Sequence, residues 1–340
     1  MNEEQIIKPG KLPAEFLSYL LKEYTTSNSS VIVGPGIGKD AAVIEVGNSY
    51  LVAKTDPITF TAEDIGFYAI NVNANDIACM GGIPQWFLAT LLLPEGKTDA
   101  ALVEKIFQQL HNGCRELGIV LCGGHTEVTL GLERPIVVGQ MLGTIPGKQL
   151  IQPGGIQLGD DIILTKGLAI EGTSIIAREK YKEIEDLFSE EFAARCAGFI
   201  HDPGVSVLKD AQIARTTAKI HAMHDPTEGG VAMGLHEMAM ASNKTFRIEY
   251  ENLPILPESK LLCDQFDMDI LGTISSGALI LTLSPRFSQQ VIDALESAGI
   301  SASVIGKVVG NGAGVELIVE NEKIEMPQYT QDEILKIYAE

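Results

Sequence analysis

Gly36-Ile37-Gly38-Lys39-Asp40-Ala41-Ala42-Val43-Ile44 sits between two short β-branched runs, Val31-Ile32-Val33 before it and Tyr50 to Lys54 after the turn Gly47-Asn48-Ser49. Apolar runs bounded by glycines predict strands, so a glycine-rich turn bearing one cation and one carboxylate joins strand to strand. It is not a Walker loop, because Gly38-Lys39 is followed by Asp40 and the position five before Gly38 is Val33. It is not a dinucleotide fingerprint either, because Lys39 stands where the third glycine belongs. A plain hairpin and a phosphate-facing loop remain open. In the second case backbone N–H groups and Lys39 approach phosphate oxygens, and Asp40 holds a divalent ion.

Outward from this loop, the spacing predicts a helix from about Pro13 to Tyr24. A strand over Tyr50 to Lys54 ends at Thr55-Asp56-Pro57, and a helix from Glu63 to about Met80 carries Asp76 on the same face as Val72 and Cys79. A strand over Leu88 to Leu93, a helix from Asp99 to Leu117 closed by Gly118, a strand over Ile119 to Cys122, a loop Gly123-Gly124-His125-Thr126-Glu127 and a strand from Pro135 to Leu142 complete the first half. Turn chemistry at Thr144 to Lys148 and Pro153-Gly154-Gly155 marks a boundary. The expected domains are 1–150 and 151–325, with 326–340 as a tail. The second half mixes strands (161–165, 220–223, 245–250, 278–284, 302–309, 314–319) with helices (from Thr173, 188–199, 204–215, 231–241) without strict βαβ alternation. That favours α+β layers.

The 340 residues carry 25 basic and 45 acidic side chains, a net charge of −20, with 45% apolar residues, enough for two cores. This acidity excludes a duplex-binding surface and so predicts no nucleic-acid partner. An anionic substrate must be met by metal or backbone N–H groups. Neither a signal-like opening nor a membrane-length apolar run is visible, so the expectation is a cytoplasmic protein without membrane attachment. Five scattered cysteines without a C-x-x-C pair fit buried thiols in a reducing compartment.

Three further carboxylates invite a chemical role. Asp56 stands at a strand end, where function concentrates. Asp76 faces inward, where an uncompensated charge is costly and needs a metal, a lysine or a hydrogen-bonding shell. Asp225, ahead of Gly229-Gly230 and a helix, could simply cap it. Magnesium with a nucleotide takes only one or two carboxylates per ion, so Asp40, Asp56, Asp76 and Asp225 could serve two or three.

Together, the glycine loop, Lys54-Thr55-Asp56, Asn75-Asp76-Ile77-Ala78-Cys79-Met80-Gly81-Gly82, Gly123-Gly124-His125-Thr126-Glu127 and Asp225-Pro226-Thr227-Glu228-Gly229-Gly230 occur in the order found in the AIR synthase-related superfamily, and the chain resembles it from about residue 30 to 320. The superfamily includes aminoimidazole ribonucleotide synthetase, thiamine-monophosphate kinase, selenophosphate synthetase and HypE. The resemblance implies a two-domain α+β fold of the PurM type. Its N-terminal domain forms a β-barrel across a homodimer interface, and its C-terminal domain is an α/β sandwich. It also implies bound ATP and Mg²⁺, with Asp40, Asp56, Asp76 and Asp225 as metal ligands. Gly36, Gly38, Lys39, Gly124, Thr126, Thr227 and Gly229 are then nucleotide-binding, and Lys39, Asp76 and Asp225 catalytic.

Two departures stand out: Lys39 replaces the first aspartate of the family's usual pair, and His125 stands where some branches carry aspartate. Asp225-Pro226-Thr227 and Ser275-Ser276-Gly277-Ala278-Leu279 look most like HypE, yet the last cysteine is Cys263, not a C-terminal one. The expected activity is therefore ATP-dependent activation of an oxygen on a small-molecule substrate, as in a kinase for a ribosyl or alcohol hydroxyl of the α-ribazole kind. A HypE-like maturation role, a non-catalytic nucleotide-binding partner and an AIR synthetase-like cyclo-ligase are the alternatives. The strands over residues 31–54 are expected to pair across the dimer axis.

Overall fold

The computed structural model describes residues 12–59 and 63–338. The first residues, read above for a leader, lie outside them. The chain divides into two compact units. One holds Ser27–Gly34 and Asp40–Leu150. The other holds the stretch up to Thr26, the short Pro35–Lys39 loop, and everything from Ile151 onward.

The opening helix α1 (Ala14–Tyr24) belongs to the second unit. The first unit is built on a six-stranded sheet: β1 (Val31–Val33), β2 (Ala42–Val46), β3 (Ser49–Ile58), β4 (Ile83–Pro94), β5 (Val120–Thr129) and β6 (Ile136–Ile145), in the order β1-β2-β3-β6-β4-β5. Helix α2 (Ile65–Cys79) packs on β3 and β6, and against α3 (Ala100–Leu117). α2 is buried along almost its whole length, as its position between sheet and α3 requires, and among its apolar residues it buries Asn71, Asn73, Asn75 and Asp76. α3 is amphipathic. Asp99 accepts the Leu102 N–H at 2.8 Å to start it, and Gly118, at φ +68°, ends it in the left-handed region that glycine tolerates.

Two expectations are corrected in this unit. β3 does not stop before Asp56 but continues to Ile58, because β6 pairs with it along its length, Asp56 opposite Gly139 and Pro57 opposite Val138. Gly123 to Glu127 is not a loop. It lies inside β5, a parallel partner of β4, and one of the glycines that suggested a turn serves close approach: a Cβ on Gly124 would stand 2.0 Å from the Ala89 carbonyl oxygen. Of the strands over 31–54, expected to pair across a dimer axis, β1 is an edge of this sheet. β2 and β3 each have two neighbours within the chain, which leaves three-residue β1 and ten-residue β5 as the edges.

The second unit carries a seven-stranded sheet, β7 (Asp161–Thr165), β8 (Ile220–His224), β9 (Lys244–Glu249), β10 (Ile280–Leu283), β11 (Ala302–Asn311), β12 (Gly314–Val319) and β13 (Glu322–Glu325), ordered β13-β12-β9-β11-β7-β10-β8. β7 and β10 are buried at every position, so the sheet centre is covered on both faces. The helices of this unit are α4 (Ile170–Glu179), α5 (Tyr181–Leu187), α6 (Glu190–Ala197), α7 (Leu208–Thr217), α8 (Gly230–Ser242), α9 (Pro257–Gln265) and α10 (Ser288–Ser297). Leu164, Phe246, Ile280 and Val315 from the sheet join Ile176, Leu235 and Leu262 from α4, α8 and α9 in one core. Met326, Ile334 and Ile337 belong to the same core, so the segment expected as a tail is packed down. The α+β two-domain expectation holds. No described helix is long and apolar enough to cross a membrane.

Candidate active site

In the first unit, β3 and α2 bring three charges together. The Lys54 ammonium lies 3.2 Å from Asp56 Oδ2 and 3.2 Å from Asp76 Oδ2. The buried Asp76 thus has the lysine its inward position called for, although sequence reasoning quoted Lys54 without giving it this role. Its signal was its place two residues before Asp56, on the same face of a strand. Asn73, one turn before Asp76, fixes the backbone beneath: its Oδ1 accepts the Asp56 N–H at 2.9 Å, and its Nδ2 donates to the Asp56 carbonyl at 3.3 Å and to Ala69 at 2.9 Å. The Thr55 hydroxyl donates to the Gly139 carbonyl at 2.8 Å. Asp56 is therefore held from both sides while its carboxylate stays partly exposed.

Gly124 and Thr126 are not gathered here. Asp56, Gly139, Ala89 and Gly124 form one row across β3, β6, β4 and β5. Gly124 therefore lies three strands away, about 14 Å at the usual strand spacing. His125 on this exposed strand pairs with Glu127 at 3.1 Å.

The second unit holds the other motifs. The loop Pro35–Lys39 lies on α8: a Cβ on Gly38, whose φ is +68°, would stand 2.6 Å from the Glu237 carbonyl oxygen, so only glycine fits. The exposed Lys39 folds its stem over Gly36, whose missing Cβ would be 3.1 Å from Lys39 Cδ. Asp40, next in the chain but already part of the first unit, is buried. At the other end of α8, Asp225 is 1% exposed, and Gly229 and Gly230 (φ +79° and +64°) turn the chain into the helix. The Thr227 carbonyl accepts the Gly230 N–H at 3.0 Å and the Ser275 N–H at 3.4 Å, tying this loop to Ser275-Ser276-Gly277. His224 Nε2 lies 3.3 Å from Glu237 Oε2, a buried pair sequence reasoning did not single out. Burial, with Asp332, Glu228 and Asp225 nearby, pushes the Glu171 carboxyl up to about 7.

The carboxylates expected as ligands, Asp40, Asp56 and Asp76 in the first unit and Asp225 in the second, offer hard oxygens, a donor type that fits Mg²⁺. Lys54 supplies one positive charge to two of them, leaving a net negative pair that a divalent ion with phosphate can balance. Three of the buried thiols are poorly suited to act as nucleophiles where they stand: burial pushes Cys114 up to about 11 and Cys196 and Cys263 up to about 12.

Residues 38–145 match the N-terminal domain of the AIR synthase related proteins and residues 157–318 the C-terminal domain. The chain is 28% identical to the carbamoyl dehydratase HypE of Rhizobium leguminosarum bv. viciae, over 81% of this chain and 78% of that one. It is also 28% identical to the selenide, water dikinase of Methanocaldococcus jannaschii, over 92% and 93%. Among solved structures, the hydrogenase maturation protein HypE in complex with ATP superimposes with a TM-score of 0.72 at 19% identity, covering 93% of this chain and 91% of that one. With both domain models matched in order over most of its length, the chain belongs to the AIR synthase-related family.

Proposed function

We propose that this chain is a Mg-ATP-dependent enzyme that activates an oxygen of a small-molecule substrate by phosphoryl transfer. The observation that carries this reading is the convergence of Asp56 and Asp76, from a strand and a helix, on the Lys54 ammonium, over a backbone locked by Asn73. Two carboxylates and one ammonium on rigid elements suit a metal-bound polyphosphate, where catalysis is mainly positioning and neutralisation of charge. In this reading Asp40, Asp56, Asp76 and Asp225 hold Mg²⁺. Lys39, exposed beside the Pro35–Lys39 backbone, meets phosphate oxygens, with Gly36, Gly38, Thr227 and Gly229 giving the backbone close approach. The magnesium supplies Lewis-acid neutralisation of phosphate charge when bound. Gly124 and Thr126, three strands from Asp56 in the same chain, enter this reading only through a second copy paired along the exposed strand β5.

The relatives include a carbamoyl dehydratase, HypE, and a dikinase, and the solved complex of HypE with ATP supports ATP use. They lend no support to an α-ribazole acceptor, so the acceptor is put no more finely than a small molecule bearing the oxygen. The likeness to HypE favours a second reading, activation of a carbamoyl oxygen in hydrogenase maturation.

Isothermal titration tests the site: Asp56→Asn and Asp76→Asn are expected to weaken Mg-ATP at least tenfold, and parental affinity in both would overturn the assignment. A panel of nucleosides, ribosides and thiamine phosphates then separates the readings. Phosphate transfer to a panel member supports the first, and ATP cleavage that needs a carbamoylated protein supports the second.

A further inference from the structure

Residues 326–338 are fastened to the second unit at several points, one of them the turn that follows Asp225. Tyr329 lies flat where Gly272 has no side chain, since a Cβ there would be 2.5 Å from its ring, and its hydroxyl donates to Asp269 Oδ2 at 2.5 Å. The Asp269 N–H is in turn taken by Glu333 at 2.8 Å. The central fastening is Asp332, only 8% exposed. Its Oδ2 accepts the Gly229 N–H at 2.6 Å, and its Oδ1 accepts Ile274 N–H at 3.2 Å and Ile334 N–H at 2.8 Å. One carboxylate thus joins three pieces of chain: the turn into α8 that follows Asp225, the loop leading into Ser275-Ser276-Gly277, and its own segment.

We propose that Asp332 is a positioning residue for the nucleotide site, its ionised carboxylate acting as a latch that sets the Asp225–Gly230 loop against the 273–277 loop. The proposal rests on the nucleotide-binding reading above. The first loop follows β8 and the second the turn Ile270–Gly272, and both pass through glycines at positive φ, Gly229 and Gly230 on one side and Gly277 on the other, so Asp332 adds to the bond from the Ser275 N–H to the Thr227 carbonyl that joins them. Charge-assisted bonds to backbone N–H groups are the strong kind, and the N-terminus of α8 favours a negative charge. Protonation makes one oxygen a hydroxyl, a donor and a much weaker acceptor, and every group bonded to it here is a donor, so one side of the latch is weakened.

The groups facing Asp332 are acidic. Glu228 comes from the loop before α8 and Glu171 from α4, with Asp225 beside Glu171. Burial, which outweighs the three N–H donors, holds the Asp332 carboxyl up at about 6. The latch is therefore charged above that value and opens as pH falls through it.

Hydrogen exchange in the nucleotide-free protein reads the latch directly. Corrected for intrinsic rates, protection in peptides covering 225–231 and 272–278 is expected to fall about tenfold between pH 7.5 and pH 5 in the parent. In Asp332→Asn it should be low and flat across that range, with β3 and β6 unchanged in both. The parent arm needs no variant to fold, and pH-independent protection there overturns the latch. Affinity for Mg²⁺ with a non-hydrolysable ATP analogue is expected to follow the same pH profile in the parent and to be weaker and flat in the variant. If exchange changes but analogue binding is untouched by Asp332→Asn, positioning is overturned. If the exchange results hold and no analogue binds parent or variant at any pH, the latch stands and the nucleotide reading fails.

Discussion

Lys54 sits between two carboxylates of unequal exposure, Asp76 nearly buried and Asp56 about one-third exposed. Removing the ammonium leaves a buried negative charge less well balanced, which costs more than the pair itself contributes. Lys54→Met is expected to destabilise the fold by about 1–3 kcal/mol. Lys54→Met with Asp76→Asn should recover part of that loss, because the neutral amide no longer needs the ammonium. Urea denaturation of the four proteins of this cycle measures the coupling, and strictly additive losses would show that the two residues do not act together. The same residues show what a sequence can disclose. An inward-facing Asp76 announces that it needs a partner, but which of several cations supplies it depends on β3 lying beside α2, a tertiary fact.

At the scale of elements, the β3–α2 arrangement depends on Gly139 of β6. A Cβ there would stand 2.3 Å from Asn73 Nδ2 and 2.9 Å from the Phe87 ring. Gly139→Ala should push Asn73 off the Asp56 backbone, costing about 1–3 kcal/mol and weakening Mg-ATP binding. Thermal melting and titration check both, and an unaltered melting temperature would refute the close packing. Helices with a polar face and a clear stop, such as α3, were legible because period and cap agree. β5 was not, because its glycines mimic a turn while Gly124 serves strand-to-strand approach, and β3 ran past Asp56 because its partner β6 lies 80 residues away. The helices α9 and α10 and the short strand β13 were not picked out of the mixed second half. The ordered motifs located the candidate residues, but not that Gly124 lies three strands from Asp56, nor that Asp332 reaches both loops.

For the whole molecule, an edge strand ten residues long, with Val120 and Val128 more than half exposed, is a surface that proteins cover or pair. A homodimer joined at β5 would do so. Sedimentation at micromolar concentration is expected to give twice 36.6 kDa, and Val128→Lys should shift the protein toward monomer. A parent that sediments as a monomer at that concentration rejects the pairing.

The way the two units share the chain also bears on its birth at the ribosome. The first unit's sheet is complete once β6 has emerged, but β7 must wait for β10 and β11, more than a hundred residues later, before it is flanked on both sides. The helix at the start of the chain and the Pro35–Lys39 loop belong to that later assembly. During synthesis, then, an already folded sheet trails a leading segment and an interrupting loop that have no home until the elements of the second unit have followed. Those two pieces are the ones most open to chaperones and proteases while the polypeptide is still being made.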